Sequence, residues 1–119
     1  WVAWFTIASV LNKDITFYGN GKQVRDVLYV DDLIRAYSQA ADQIETTSGR
    51  IYNIGGGPDN TTSLLELIEL LEDFEGREIP VDYDEWRTGD QKIYVSDINK
   101  AKSHFGWDPR YNIEEGLEQ

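Results

Sequence analysis

The chain has 119 residues, 40% apolar and 13% aromatic, which suits one globular domain with a modest core. A net charge of −11 argues against nucleic acid and against anionic membrane as partners, since both demand a basic face. The lack of cysteine excludes disulfides and thiolate chemistry, and no apolar stretch is long enough to span a bilayer.

Residues 1–12 place Trp1, Trp4, Phe5, Ala8 and Leu11 on one helical face, and Asn12-Lys13-Asp14 ends that helix. Val2, Ile7 and Val10 lie off this stripe, so the helix is expected to leave an apolar patch exposed. Ile15 to Tyr18 reads as a strand, and Gly19-Asn20-Gly21 as a turn. Val24 to Val30 reads as a second strand, with Arg25, Val27 and Tyr29 on one face. Asp31-Asp32 opens a helix to about Ile44, whose apolar stripe is Leu33, Ala36, Tyr37, Ala40, Ala41 and Ile44. Paired acids invite a metal or acid–base role, but at a helix N-terminus they cap it and complement its dipole, and that reading is preferred.

Arg50 to Ile54 reads as a short strand expected to pair outside the chain, followed by Gly55-Gly56-Gly57-Pro58. Ser63 and Glu66 form a capping box for a helix over 64–75. Leu64, Leu67, Ile68, Leu71 and Phe74 are expected inward, Glu66, Glu69, Glu72 and Glu75 toward water, and Gly76 is the stop. Ile79 to Tyr83 is a strand that Pro80 pushes to a sheet edge. Ile93-Tyr94-Val95 is brief and extended, and Asp97 to Phe105 is a small helix. Asn112 and Glu115 form another capping box at the start of a final helix. The chain opens inside an apolar pattern and closes soon after this fresh helix start, so it is expected to be part of a longer protein.

The chemistry on offer is anion binding. Arg25-Asp26 and Arg87-x-x-Asp90 each set an arginine near an aspartate that orients it, and two planar guanidinium forks suit a diphosphate. The glycine run at 55–57 has the choice between a phosphate cradle and a tight turn. It lacks the third glycine of a dinucleotide fingerprint, and the tight turn is the preferred reading. Tyr18 and Lys22 have a Tyr-x-x-x-Lys spacing, but Gly-Asn-Gly between them makes a turn, so they are rejected as a catalytic pair. His104, the single histidine, lies on a polar helix, and no cluster has metal-ligand spacing. No catalytic residue is assigned.

Taken in order, these motifs resemble a known family. Gly-Asn-Gly-Lys-Gln-Val-Arg-Asp-Val-Leu-Tyr-Val-Asp-Asp-Leu at 19–33 looks like a signature of the extended short-chain dehydrogenase/reductases, the NAD-dependent nucleotide-sugar epimerases and dehydratases. Tyr52 to Gly57 resembles the family's late strand and turn, Arg87 to Asp90 its second phosphate motif, and residues 97–109 its closing segment. Residues 1–5, 21–26 and 55–60 look most like members that epimerise CDP-sugars.

The resemblance implies an α/β fold: residues 1–119 would form the C-terminal substrate-binding lobe of a Rossmann-type enzyme, a small mixed sheet with packed helices. The N-terminal NAD-binding domain, with the glycine-rich turn and catalytic Tyr-x-x-x-Lys, would lie outside this chain. Arg25 and Arg87 would contact the nucleotide diphosphate and converge on one cleft. Asp90 would meet the ribose or steady Arg87, and Gln23 would lie along the nucleotide. Asp26 would pair with Arg25 or with a nearby backbone donor. The implied ligand is a nucleotide-diphosphate sugar, CDP-linked by preference. The implied cofactor is NAD, which would oxidise and re-reduce a sugar carbon in the full-length enzyme. A cytoplasmic location is expected, with a homo-oligomer for the full-length protein and a monomer for these residues alone. A free-standing phosphate-binding module and an acidic interaction domain are the competing readings.

Overall fold

The structure is a computed structural model and describes residues 1–119. In chain order the helices are α1 (Val2–Val10), α2 (Val30–Asp42), α3 (Ile44–Thr47), α4 (Leu64–Glu75), α5 (Asn99–Phe105) and α6 (Ile113–Glu118). The strands are β1 (Ile15–Tyr18), β2 (Val24–Asp26), β3 (Thr61–Ser63), β4 (Val81–Asp84) and β5 (Ile93–Tyr94). A single 3-10 turn covers Pro58–Asn60. β1 and β4 form one sheet, and the other has the order β3-β2-β5. The chain is an α/β fold of small sheets and packed helices, and it divides into two compact units.

The first unit comprises residues 1–24 and 62–93. β1 pairs with β4 in parallel, from Ile15 against Val81 to Tyr18 against Asp84. With only two strands β4 is an edge, and it starts at Val81, just after Pro80, rather than at Ile79. Beneath lie Phe5, Ala8, Ile15, Phe17, Leu64, Leu67, Ile68, Leu71 and Ile79, all buried. Phe17 meets Phe5 and Tyr83 with ring centroids 5.6 Å apart in each pair.

α4 has the predicted bounds because both ends are specified locally. Ser63 Oγ accepts the Glu66 N–H at 3.2 Å, and Glu66 accepts the Ser63 N–H at 2.7 Å. Ser63→Ala should therefore cost about 1 kcal/mol, read as a shift in urea midpoint without a change in slope. Two expectations for this helix fail. Phe74 is nearly half exposed. Glu72 and Glu75 are partly buried and bonded: Glu72 accepts the Ile79 N–H at 2.8 Å, and Glu75 pairs with Arg77 at 2.7 Å.

α1 also sits differently from its hydrophobic pattern. Ser9 is buried with Phe5 and Ala8, while Trp4 and Leu11 are exposed. The Ser9 hydroxyl donates to Glu75, and its carbonyl accepts from Arg77, so two long-range polar bonds turn this face inward. Ile7 and Val10 stay exposed, as expected.

The second unit comprises residues 25–61 and 94–119. Ala36, Ile98, Ala101, Phe105 and Trp107 form its core, with Leu28, Ala40, Tyr52 and Ile54 packed on it. β2 ends at Asp26, not at Val30. Tyr29 has turned into the N-cap position, and Val30 begins α2. The α2 stripe is also narrower than predicted, since Tyr37, Ala41 and Ile44 are exposed. Residues 50–54 join neither sheet, and Ile51 is 85% exposed. α5 ends at Phe105 as predicted but starts at Asn99, two residues later than Asp97, and the Asn112–Glu115 capping box of α6 forms where the sequence puts it.

Candidate functional site

In the first unit, the end of β1 and the loop after β4 border a cleft of about 690 Å³, a volume typical of small-ligand sites. Gln23, Arg87 and Asp90 line it, so three of the four expected site residues meet here. Arg25 belongs to the second unit, on β2. Trp1, Trp4, Phe5 and Leu64 supply an apolar and aromatic wall, and Asp14, Thr16 and Tyr18 a polar one.

Arg87 and Asp90 are set by one turn. The Asp90 N–H donates to the Arg87 carbonyl at 3.2 Å, and Gly89 takes φ +81°, a left-handed value that glycine adopts without strain. The Arg87 side chain is exposed, yet its guanidinium carbon lies 3.8 Å from the centre of the Tyr18 ring. That cation–π contact fixes one face of the fork and leaves its N–H edge to bind. Sequence reasoning considered Tyr18 only as a strand residue and as half of a rejected catalytic pair. Its role as a platform depends on β1 ending beside the Arg87 loop, which local sequence does not encode.

Gln23 is 4% exposed. Its Nε2 donates to the Tyr18 carbonyl at 3.1 Å, while Oε1 is buried without a hydrogen-bond partner. Buried polar atoms are nearly always paired, so this oxygen stands out.

The glycine run of the second unit holds no phosphate cradle. Asp26 Oδ2 accepts the Gly57 N–H at 3.0 Å, so a carboxylate already occupies the donor that a phosphate would use. This is the backbone-donor alternative for Asp26. A Cβ on Gly56 would come within 2.0 Å of the Val27 carbonyl oxygen, so the glycines serve a close approach of two backbones. These residues do not fit the pyrophosphate of NAD.

Asp31 and Asp32 lie in the first turn of α2, where they complement its dipole as expected, but they do not cap it. No side-chain cap bond forms at the start of α2. The Asp32 carboxylate instead accepts from Arg35 at 2.6 Å and from the N–H groups of Arg110 and Tyr111 at 2.9 and 3.0 Å. Burial pushes its pKa up, but the N–H of Tyr111, the Arg35 guanidinium and the N–H of Arg110 together hold it below the ordinary value. A carboxylate so occupied is a brace and not a base. His104 is likewise engaged, with Nδ1 2.9 Å from the Tyr52 hydroxyl.

The family model of GDP-mannose 4,6 dehydratase matches residues 4–119. A CDP-paratose 2-epimerase of Salmonella typhi is 38% identical, aligning with all of this chain and 37% of its own length. The UDP-glucose 4-epimerase of Thermotoga maritima, solved with UDP-glucose, superposes with a TM-score of 0.85 at 35% identity, covering 98% of this chain and 36% of that one. The UDP-glucuronic acid 4-epimerase of Bacillus cereus, solved with UDP-glucuronic acid and NAD, gives 0.86 at 30% identity over 95% of this chain and 35% of that one. The chain thus spans about a third of the length of the relatives it matches. It belongs to the GDP-mannose 4,6-dehydratase family, among the NAD-dependent nucleotide-sugar epimerases and dehydratases of the extended short-chain dehydrogenase/reductase class.

Proposed function

We propose that this chain is the C-terminal, nucleotide-sugar-binding lobe of an NAD-dependent epimerase similar to CDP-paratose 2-epimerase. The observation that carries the reading is the first unit's cleft, where Arg87, held on Tyr18, shares the lining with Gln23 and Asp90. A nucleotide diphosphate has the charge for Arg87 and the flat base for the aromatic wall. Arg25 remains a proposed diphosphate ligand on the strength of the sequence resemblance. The proposed ligand is a CDP-sugar, and the proposed activity of the full-length protein is oxidation and re-reduction of one sugar carbon. NAD would be held by an N-terminal Rossmann domain. This lobe would contribute binding energy from the nucleotide end, which keeps the sugar in register. No helix is long and apolar enough to cross a membrane, and a cytoplasmic location and a homo-oligomeric full-length protein complete the proposal.

The 119-residue chain should bind nucleotide sugars yet turn none over. In this proposal the residues for NAD and for proton transfer belong to the N-terminal domain. Titration with CDP-, UDP- and dTDP-sugars reads the first point. Incubation with NAD, followed by NMR of the sugar, reads the second. Turnover above background from the pure chain, or the absence of any nucleotide binding, overturns the proposal.

A further inference from the structure

We infer that the side-chain carbonyl of Gln23 accepts an N–H of the ligand's nucleobase, which makes Gln23 a base-reading residue. The inference rests on the nucleotide-sugar reading above and adds to it the end of the ligand that Gln23 meets. The amide has a fixed sense. Its Nε2 donates to the Tyr18 carbonyl, and a flipped amide would set carbonyl against carbonyl. The free atom is therefore the oxygen, an acceptor that lacks a donor.

A nucleotide sugar brings few groups that suit such an atom. Phosphate oxygens are acceptors and would be repelled by it. Hydroxyls of ribose or sugar are donors, but the cleft that Gln23 lines is also lined by Trp1, Trp4, Phe5 and Leu64. A flat apolar and aromatic wall suits a heterocycle, whose faces stack while its edge hydrogen-bonds. Both pyrimidine classes carry the needed donor, an imino N–H in uracil or thymine and an amino N–H in cytosine. Oε1 is closed off from solvent, so a base reaches it once side chains lining the cleft move aside. Tyr18 links the two ends of the cleft: its carbonyl holds Gln23, and its ring holds Arg87.

The test is titration calorimetry of the protein and of Gln23→Met with five probes. These are UDP, N3-methyl-UDP, CDP, the diphosphate of pyrimidin-2-one riboside (CDP without its amino group) and 2′-deoxy-UDP. Removing the base N–H should weaken binding to the unaltered protein by about tenfold, and should matter little in Gln23→Met. The arm that responds, imino or amino, identifies the base. The modified nucleotides need no variant, so the test survives a Gln23→Met that fails to fold. Equal binding of modified and parent nucleotides overturns the inference and leaves the nucleotide reading standing. So does a loss that follows the 2′-deoxy probe, which would place the carbonyl on the ribose. If no nucleotide binds at all, the nucleotide reading fails and the inference fails with it.

Discussion

Arg87→Ala in the full-length protein is expected to weaken nucleotide-sugar binding by about tenfold to a hundredfold. The exposed guanidinium stacks on Tyr18, so its N–H edge is positioned before any ligand arrives. A hydrogen bond to a charged group contributes about 1.5–3 kcal/mol, which gives that range of affinity. Arg87→Lys should recover only part of the loss, because an ammonium is a point charge that neither lies flat on a ring nor forks toward two oxygens. Tyr18→Leu should resemble a milder form of Arg87→Ala, since it removes the platform and keeps the charge. NAD affinity should hold, because the proposal places the cofactor on the N-terminal domain, away from Arg87. Arg87→Ala should also leave the folding free energy nearly unchanged, as the side chain is exposed. Calorimetric titration of nucleotide sugar and of NAD, beside a urea melt, reads all of these. A full-affinity Arg87→Ala would remove Arg87 from the site.

Asp32→Ala should destabilise the second unit by about 3–5 kcal/mol. The carboxylate is 1% exposed and satisfies the Arg35 guanidinium and two backbone N–H groups on the Trp107–Tyr111 segment. Trp107 docks beside it, with Nε1–H donating to the Asp32 carbonyl at 2.9 Å. Alanine removes the acceptor of the Arg110 and Tyr111 N–H groups, while Arg35 keeps only Gln39 and the Asp108 carbonyl. Asp32→Asn should cost less, since one oxygen can still accept.

The sign of the pH dependence follows from the direction of the shift. The folded-state pKa lies below the ordinary aspartate value of 3.8, so the folded state favours the ionised form. Its stabilisation is full above 3.8 and is lost as the pH falls through the lower folded value. Urea melts of the unaltered protein should therefore show an acid-side decline that Asp32→Ala lacks. Parallel acid declines in both proteins would show that Asp32 contributes none of it.

The sequence by itself determined what is set within a turn or two of chain. The Ser63–Glu66 capping box fixes the start of α4, Asn112–Glu115 fixes α6, and β1 has the predicted bounds. These are contacts between residues three or four apart, or patterns of alternate burial, and they are written in local order. Resemblance of the motifs along the chain also carried the family, because their order does not depend on packing. Tertiary structure decided the rest. Ser9 faces inward because Glu75 and Arg77, more than sixty residues away, bond to it. β2 stops early because the chain turns at Tyr29 into α2. Asp32 is a brace and not a cap because residues 110 and 111 present their N–H groups to it. Tyr18 meets the Arg87 guanidinium only when β1 ends beside the Arg87 turn. The turn at Tyr29 apart, each of these is a contact between residues distant in sequence, whose energy depends on which groups folding brings together, and no local pattern records that.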